Sequence, residues 1–548
     1  MGLRKTKISE SILQWAGSFF ENFPGSQFIL IPLARATRPV RALGGAGRLP
    51  VAMPPFAPLV GPLWMSNDAH NILYNSILHE TLAKARCYDS PRMSSLSFID
   101  QFVRCFVPAP FIQMARIAQW LRRQGKIDAF EFLTSLVFGQ LSALRLTLNA
   151  QAQGLAQPVT RQAIDQRYTP AAVVYLQSAF AHCLNQTLLE QPSHPMAQEL
   201  RRHFAAVYLV DSTAFDCPAS LQKLFPACGG DGSPANVKVL LRYEWISGQL
   251  EPLQLLPGKR SDQGLAQQVV LPLRENQLQL QDKGFFSAAA WQKASAHKAF
   301  LLCPLPHAVS LWQSGPTGLL LRLDLAKALA ASTQAQVQWD QLHCGQDTHR
   351  FGPVRVVAFR LSPESAGRQR AGLRASQHKQ GRTPTACALE LAGWLILVTN
   401  APAAKLPSPV LSYLYRLRWQ IELIFRQCKW VLRLDVTESA NPCRVQCEIW
   451  ARLLAAVLIF WWHAHAGALC WQQHGCEISF EKLCRMFQQW GHRLARVLIH
   501  GGDALRIELR ELWHHILKGA RKERQKSRTL TWDRLLDTWL APATCPLP

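Results

Sequence analysis

LSYLYRLRWQIELIFRQCKWVLRL, residues 411–434, carries two helical stripes side by side. Leu414, Leu417, Ile421, Ile424, Cys428 and Val431 recur at spacings of three and four, an apolar seam that docks a helix onto a sheet. On the flank of that seam stand Tyr415, Arg418, Glu422 and Lys429, at steps of three, four and seven. Two readings of this flank are open. Arg418 with Glu422, and Glu422 with Arg426, form the i, i+4 pairs that commonly decorate a solvated helix face. Alternatively, the single acid is aimed at a cleft and the cations around it hold phosphates.

Moving toward the N-terminus, the pattern becomes that of a sheet. AAVYLVDST (205–213), VKVLLRYEW (237–245), QLQLQDKG (277–284) and AFLLCPLP (299–306) are short β-type runs bounded by Pro, Gly, Ser and Asp. Asp211 closes the first, where it either caps the DST turn or projects into a crevice at the strand end. Asp282 closes the alternating QLQLQ run, and Gly284 permits the sharp turn that follows. Asp262 in GKRSDQG reads as a helix N-cap beside a basic loop and is the rival for the second acid. Asp216, Asp231 and Glu244 are weaker candidates. Three carboxylates brought together from two strand ends and a helix would bind two Mg²⁺ or Mn²⁺ ions, the arrangement used for in-line phosphoryl displacement.

The spacing Y-x2-R-x3-E-x6-K, met by Tyr415, Arg418, Glu422 and Lys429, resembles the signature of the insertion-sequence-four branch of bacterial DDE transposases. The family's first acid stands in a VDST-like context, which selects Asp211, and its second precedes Gly-Phe or Gly-Tyr, which selects Asp282 over Asp262. The resemblance implies an RNase H-like mixed-sheet α/β core, interrupted by a β-rich insertion, with Asp211, Asp282 and Glu422 as catalytic metal ligands for Mg²⁺ (or Mn²⁺). It further implies that Arg418 and Lys429 bind transposon-end phosphates, with Tyr415 hydrogen-bonding beside them. Some relatives cut through a hairpin intermediate and stack a flipped base on a Trp in the insertion. GWLILVTN places Trp394 similarly.

Other basic and metal-type residues are less committed. Arg368, Arg370, Arg374, Lys379 and Arg382 lie in a stretch without acids, and Lys518, Arg521, Lys522, Arg524, Lys526 and Arg528 form a second cluster; both are solvated loops or phosphate tracks. Cys443, Cys447, His463 and His465 share helices with apolar residues and lack a compact zinc knuckle.

The whole chain of 548 residues, at roughly 150 per domain, suffices for several cores. A net charge of +24 with 48% apolar residues describes a folded basic protein whose leading partner is nucleic acid. Fifteen scattered cysteines read as reduced thiols. MGLRKTKISESILQWAGSFF lacks the continuous apolar core of a signal peptide, and Leu453–Trp462 is about half a bilayer span, a buried helix. The expected plan is a Pro/Gly-rich extension (1–85), a helical DNA-binding domain (86–204), a first core segment (205–310), a β insertion (311–405), a second core segment (406–470) and a helical C-terminal region (471–548). The expected protein is a cytoplasmic, nucleoid-associated cut-and-paste transposase. It binds its element's terminal inverted repeats and target DNA, works as a homodimer in the synaptic complex, and has no membrane role. The alternatives are a transposase-derived DNA-binding protein that no longer cuts, and a sequence-independent nuclease of the same fold.

Overall fold

The computed structural model describes residues 95–522 and Trp539, apart from positions 124, 143–145, 186–194, 231, 316, 347–349, 437–438 and 501. The expected 1–85 extension, and Arg524, Lys526 and Arg528 of the C-terminal basic cluster, lie outside the described residues.

Strands β1 (Ala206–Cys217), β2 (Ala235–Glu244) and β3 (Gln249–Pro257) form an antiparallel meander; β4 (Gln277–Gln281) and β5 (Phe300–Pro304) then add in parallel on the other side of β1. The order β3-β2-β1-β4-β5 is that of an RNase H-like core. Helices α8 (Asp262–Val270) and α9 (Ala288–Ala296) make the crossovers that parallel neighbours require. Alternation along β1 sends Ala206, Tyr208 and Val210 toward Leu265 and Trp291 of these helices, and Val207 and Leu209 toward the opposite face. All five residues of QLQLQ are buried, because helices cover both faces. Gln279 bonds Gln281 at 2.8 Å, and Gln281 bonds the Phe285 carbonyl at 3.2 Å, so a run that reads as half-solvated spends its amides internally.

The insertion extends this sheet instead of building its own. Strands β6 (Leu311–Ser314), β7 (Leu320–Leu323), β8 (Gln336–Cys344), β9 (Phe351–Arg360) and β10 (Trp394–Thr399) continue it beyond β5, because β10 returns antiparallel to β5 with Leu397 opposite Pro304. Between them run α10 (Leu325–Ala331), α11 (Pro363–His378) and α12 (Ala386–Leu391). The basic stretch read as a loop is thus largely α11. Ser362 caps it, Pro363 opens it and Glu364 sits in its first turn, yet Ala366 is its one buried residue, so no apolar stripe announced it.

After β10 come α13 (Ser408–Arg416) and α14 (Trp419–Trp430), which cover the Val207–Leu209 face. The remaining helices come from both ends of the described chain. α1 (Ser95–Cys105), α2 (Pro108–Ile117), α3 (Ala129–Ser142), α4 (Leu148–Gln153), α5 (Arg161–Asp165), α6 (Pro170–Asn185) and α7 (Pro195–His203) precede the sheet. α15 (Pro442–His474), α16 (Phe480–His500) and α17 (Gly502–Gly519) follow it. α15 packs on α3 and α6, so the two ends of the described chain share one core. Its apolar run Leu453–Trp462 is buried, and although α15 is long and apolar enough to cross a membrane, 72% of its most apolar window lies inside the protein. All thirteen cysteines among the described residues are free thiols.

The insertion is bolted to the start of α13 by one buried cation. Arg355 of β9 donates to Ser408 Oγ at 2.8 Å and to the carbonyls of Ala401 (3.3 Å) and Leu406, while Ser408 also bonds Gln338 of β8. Replacing it leaves three acceptors without their charged donor in the interior. Arg355→Ala is expected to lower stability by about 3 kcal/mol in urea unfolding. A change below about 0.5 kcal/mol would show that this contact carries no load.

Candidate active site

The site is built at the point where β4 ends. β1 and β4 are parallel, with Val210 opposite Gln281, so the next residues along, Asp211 and Asp282, are neighbours on adjacent strands. Each continues the row of side chains that includes Leu209 and Leu280, so both face the side covered by α13 and α14. Asp262 lies on the other face. Ser261, not Asp262, caps α8. The Asp262 carboxylate accepts the Ser212 hydroxyl at 2.8 Å and the Lys238 ammonium at 3.0 Å, and it packs against Gly284, where a Cβ would come within 3.4 Å of it. It therefore props the two acid-bearing turns from behind. The weaker candidates are engaged in structure: Asp216 accepts from Asn236 at 3.0 Å, and buried Glu244 accepts the amides of Val207, Ile246 and Ser247. Asp231 lies outside the described residues.

The helix that supplies the third acid is not continuous. Leu417, Arg418, Gln420 and Ile421 each bond the carbonyl three residues back, at 2.8–3.1 Å, a tightened turn between α13 and α14. This turn brings Arg418 between two acids: its guanidinium donates to Asp211 Oδ2 at 3.2 Å and to Glu422 Oε1. Farther along, Lys429 crosses β1 and donates to the Ala214 carbonyl at 3.1 Å. Tyr415 lies beneath Arg418, with the guanidinium 5.6 Å from its ring centroid. The four flank residues and Asp211 and Asp282 are thus gathered in one crevice.

The electrostatics match a partly dry cluster of like charges. Burial pushes the Asp211 carboxyl up to about 6; the Ser212 amide and Arg418 pull it back, and the charges of Asp282 and Glu422 push it further. Burial also raises the Tyr415 phenol, opposed by Arg418 and assisted by Asp282. For Arg418 burial disfavours the charge, but Tyr415, Glu422 and Asp211 outweigh it and the value rises. In kind, three carboxylates suit a hard divalent cation. In this conformation, however, no three His, Cys, Asp or Glu side chains among the described residues are grouped to hold a metal ion, and Arg418 stands between Asp211 and Glu422.

The other expected contact residues are placed differently. Trp394 opens β10 in the interior, 6% exposed, with Arg360 lying 4.2 Å over its ring, so it offers no free face to a base. Among the described residues the exposed indoles are Trp419 and Trp430, at the two ends of α14, at 53% and 74%, with Arg426 beside the latter at 5.7 Å. Neither belongs to the apolar seam or to the Tyr415–Lys429 flank, so the spacing of the helix does not single them out. Arg370 bonds the Leu389 carbonyl at 2.9 Å and ties α11 to α12. Arg368 and Arg374 are exposed but, at about 100° per residue, leave α11 in different directions, so the three arginines do not form one row. In the C-terminal cluster, Arg521 bonds the Leu517 carbonyl at 2.6 Å and Lys522 pairs with Glu477. His465 stacks on Phe98 at 4.2 Å, and His463 lies 3.1 Å from the Ile478 carbonyl, both within the helical core.

Asp211 holds its proton more tightly when folded (about 6) than the ~3.9 of an unfolded chain. The stability this gives is complete below about pH 4 and is lost as pH rises through about 6. Without divalent cations, Asp211→Asn should therefore be more stable than wild type at about pH 8, by about 1–2 kcal/mol, and the advantage should vanish near pH 4. Thermal unfolding in chelator at both pH values checks this; a wild type that melts higher at the alkaline pH contradicts it.

Residues 202–458, from the end of α7 into α15, match the family described as "Transposase DDE domain". The transposase for insertion sequence element IS231F of Bacillus thuringiensis subsp. israelensis is 23% identical over 456 residues, covering 80% of this chain and 94% of that protein. The transposase for IS1151 of Clostridium perfringens is 23% identical over 368 residues, 63% of this chain and 76% of its own length. Among solved structures, a piggyBac transposase synaptic complex with hairpin DNA aligns over 87% of this chain and 91% of that one at 11% identity. Its TM-score of 0.35 is too low to bear on the fold. Residues 202–458 are thus similar to the transposase DDE domain, and over most of its length the chain is similar to transposases of bacterial insertion sequences.

Proposed function

We propose that this protein catalyses metal-dependent cleavage and strand transfer of DNA at the terminal inverted repeats of its own insertion sequence, moving the element by cut-and-paste. The observation that carries the reading is the register of β1 and β4, which sets Asp211 beside Asp282 under the helix that bears Glu422. These three carboxylates would hold Mg²⁺ or Mn²⁺, which would supply activation of the attacking water or 3′-hydroxyl and stabilisation of the leaving oxygen. The chain's own residues do the rest. Lys429, held over β1, places a cation where a backbone phosphate passes the acids, and Arg418 offers a second, bidentate one. The Tyr415 phenol stays protonated beside them and donates to a phosphate oxygen. Exposed Arg368 and Arg374 of α11 extend the basic surface on the insertion.

In this reading the N- and C-terminal helices recognise the element's ends and pair two copies of the chain in the synaptic complex. The protein works where its DNA is, in the cytoplasm at the nucleoid.

Nicking of duplexes copied from the DNA flanking the reading frame, in Mg²⁺, tests the proposal. Asp211→Asn, Asp282→Asn and Glu422→Gln should each reduce nicking by about a thousand-fold or more, with binding to the same duplex kept within about threefold. Binding without nicking by the wild type would instead favour a non-cutting derivative, and equal nicking of unrelated duplex a sequence-independent nuclease.

A phosphate contact acts without regard to base sequence and releases counterions. Lys429→Ala should therefore weaken binding to end and unrelated duplex alike and reduce the slope of log affinity against log salt by about one. An unchanged slope would remove Lys429 from the DNA contact.

A further inference from the structure

Arg418 stands where two of the three acids meet. Its guanidinium binds Asp211 and Glu422 together, 14% of its side chain is exposed, and its buried Nε has no hydrogen-bond partner. On the reading above, the same two carboxylates are ligands of a divalent cation. The two occupancies exclude one another. Arg418 occupies one oxygen of each carboxylate, Asp211 Oδ2 and Glu422 Oε1, and its permanent charge, held between the two acids in a partly dry site, repels a divalent cation brought to the oxygens that remain. Arg418 must therefore leave before the acids can be shared by a metal.

What would draw it away is an anion with the same two-oxygen geometry as a carboxylate, and a backbone phosphate is one. The departure is made easier by the unspent Nε donor, and by the position of Arg418 in the tightened turn between α13 and α14 instead of inside either helix.

We propose that Arg418 is a gate. In the DNA-free protein it neutralises Asp211 and Glu422 and closes them to divalent cations, and a DNA phosphate opens the site by capturing the guanidinium. The inference rests on the assignment of these acids as metal ligands. It couples the two bindings, so DNA tightens metal binding and metal tightens DNA binding by the same factor. A free transposase is thereby kept from loading the ion that would let it cut indiscriminately.

Mn²⁺ titration of the full chain, followed by the electron paramagnetic resonance signal of the free ion, tests this without measuring activity. DNA-free Arg418→Gln should bind Mn²⁺ at least about tenfold more tightly than DNA-free wild type. That gain should disappear in the double variant Arg418→Gln, Asp211→Asn. Duplex copied from the flanking DNA should produce a similar gain in wild type, after subtraction of the ions held by the same duplex with Asp211→Asn. If DNA-free wild type binds Mn²⁺ as tightly as Arg418→Gln, and both depend on Asp211, the gate is wrong and the metal assignment stands. If no form binds Mn²⁺ in a way that depends on Asp211, the metal assignment fails and the gate with it. Should Arg418→Gln not fold, wild type with and without duplex decides alone, and no gain on adding DNA overturns the gate.

Discussion

The structure turns on one pairing, the parallel alignment of β1 with β4. Because Val210 lies opposite Gln281, the two aspartates that end these strands are brought side by side although 71 residues separate them in the chain. A slip of one residue would send one carboxylate to the face of Asp262 and leave the other alone. Packing on both sheet faces opposes that slip, since it would exchange the settings of Leu278 and Leu280 with those of Gln279 and Gln281 and break the amide bonds that these glutamines make internally. The apolar interior thus holds an acid where its charge is unfavourable: burial raises the Asp211 carboxyl, and the charges of Asp282 and Glu422 add to this. Arg418 offsets it in this conformation.

The glutamate reaches the same crevice by a longer route. A whole set of strands intervenes between β5 and α13, but they extend the existing sheet and return through β10 next to β5, so the chain re-enters the core where it left. Arg355 and Gln338 then hold Ser408 at the start of α13. A large insertion is tolerated here because its return strand, not the length of its excursion, positions Glu422.

The legibility of the site in the sequence followed from the kind of signal each residue sends. Asp211, Asp282 and the Tyr415–Lys429 flank could be singled out because strand ends and helical spacing are local properties. The Gly-Phe context already prefers Asp282 to Asp262, but that Asp262 stands on the opposite face of the sheet, bound to Ser212 and Lys238, is not reported by its local context. The local sequence around Trp394 does not reveal that Arg360 and the interior cover it, and nothing in the spacing of the helix marks Trp419 and Trp430 as exposed. α11 was missed as a helix because a polar segment with one buried residue has no periodicity to read. The apolar spacing of 411–434 runs unbroken through Leu417 and Arg418, and φ and ψ stay helical there; only the hydrogen-bond pattern tightens, which periodicity does not report.

By itself, the sequence determined most of the core strands and the apolar helices, that the protein is basic and folded, and the helical spacing of Tyr415, Arg418, Glu422 and Lys429. These follow from periodicity and composition, which act over a few neighbours. Tertiary structure alone decided that the insertion joins the core sheet, that the N- and C-terminal helices share one core through α15, and that Arg418 bridges Asp211 and Glu422. Each of these depends on contacts between residues far apart in the chain, whose register is selected by the burial of whole faces and not by any local preference.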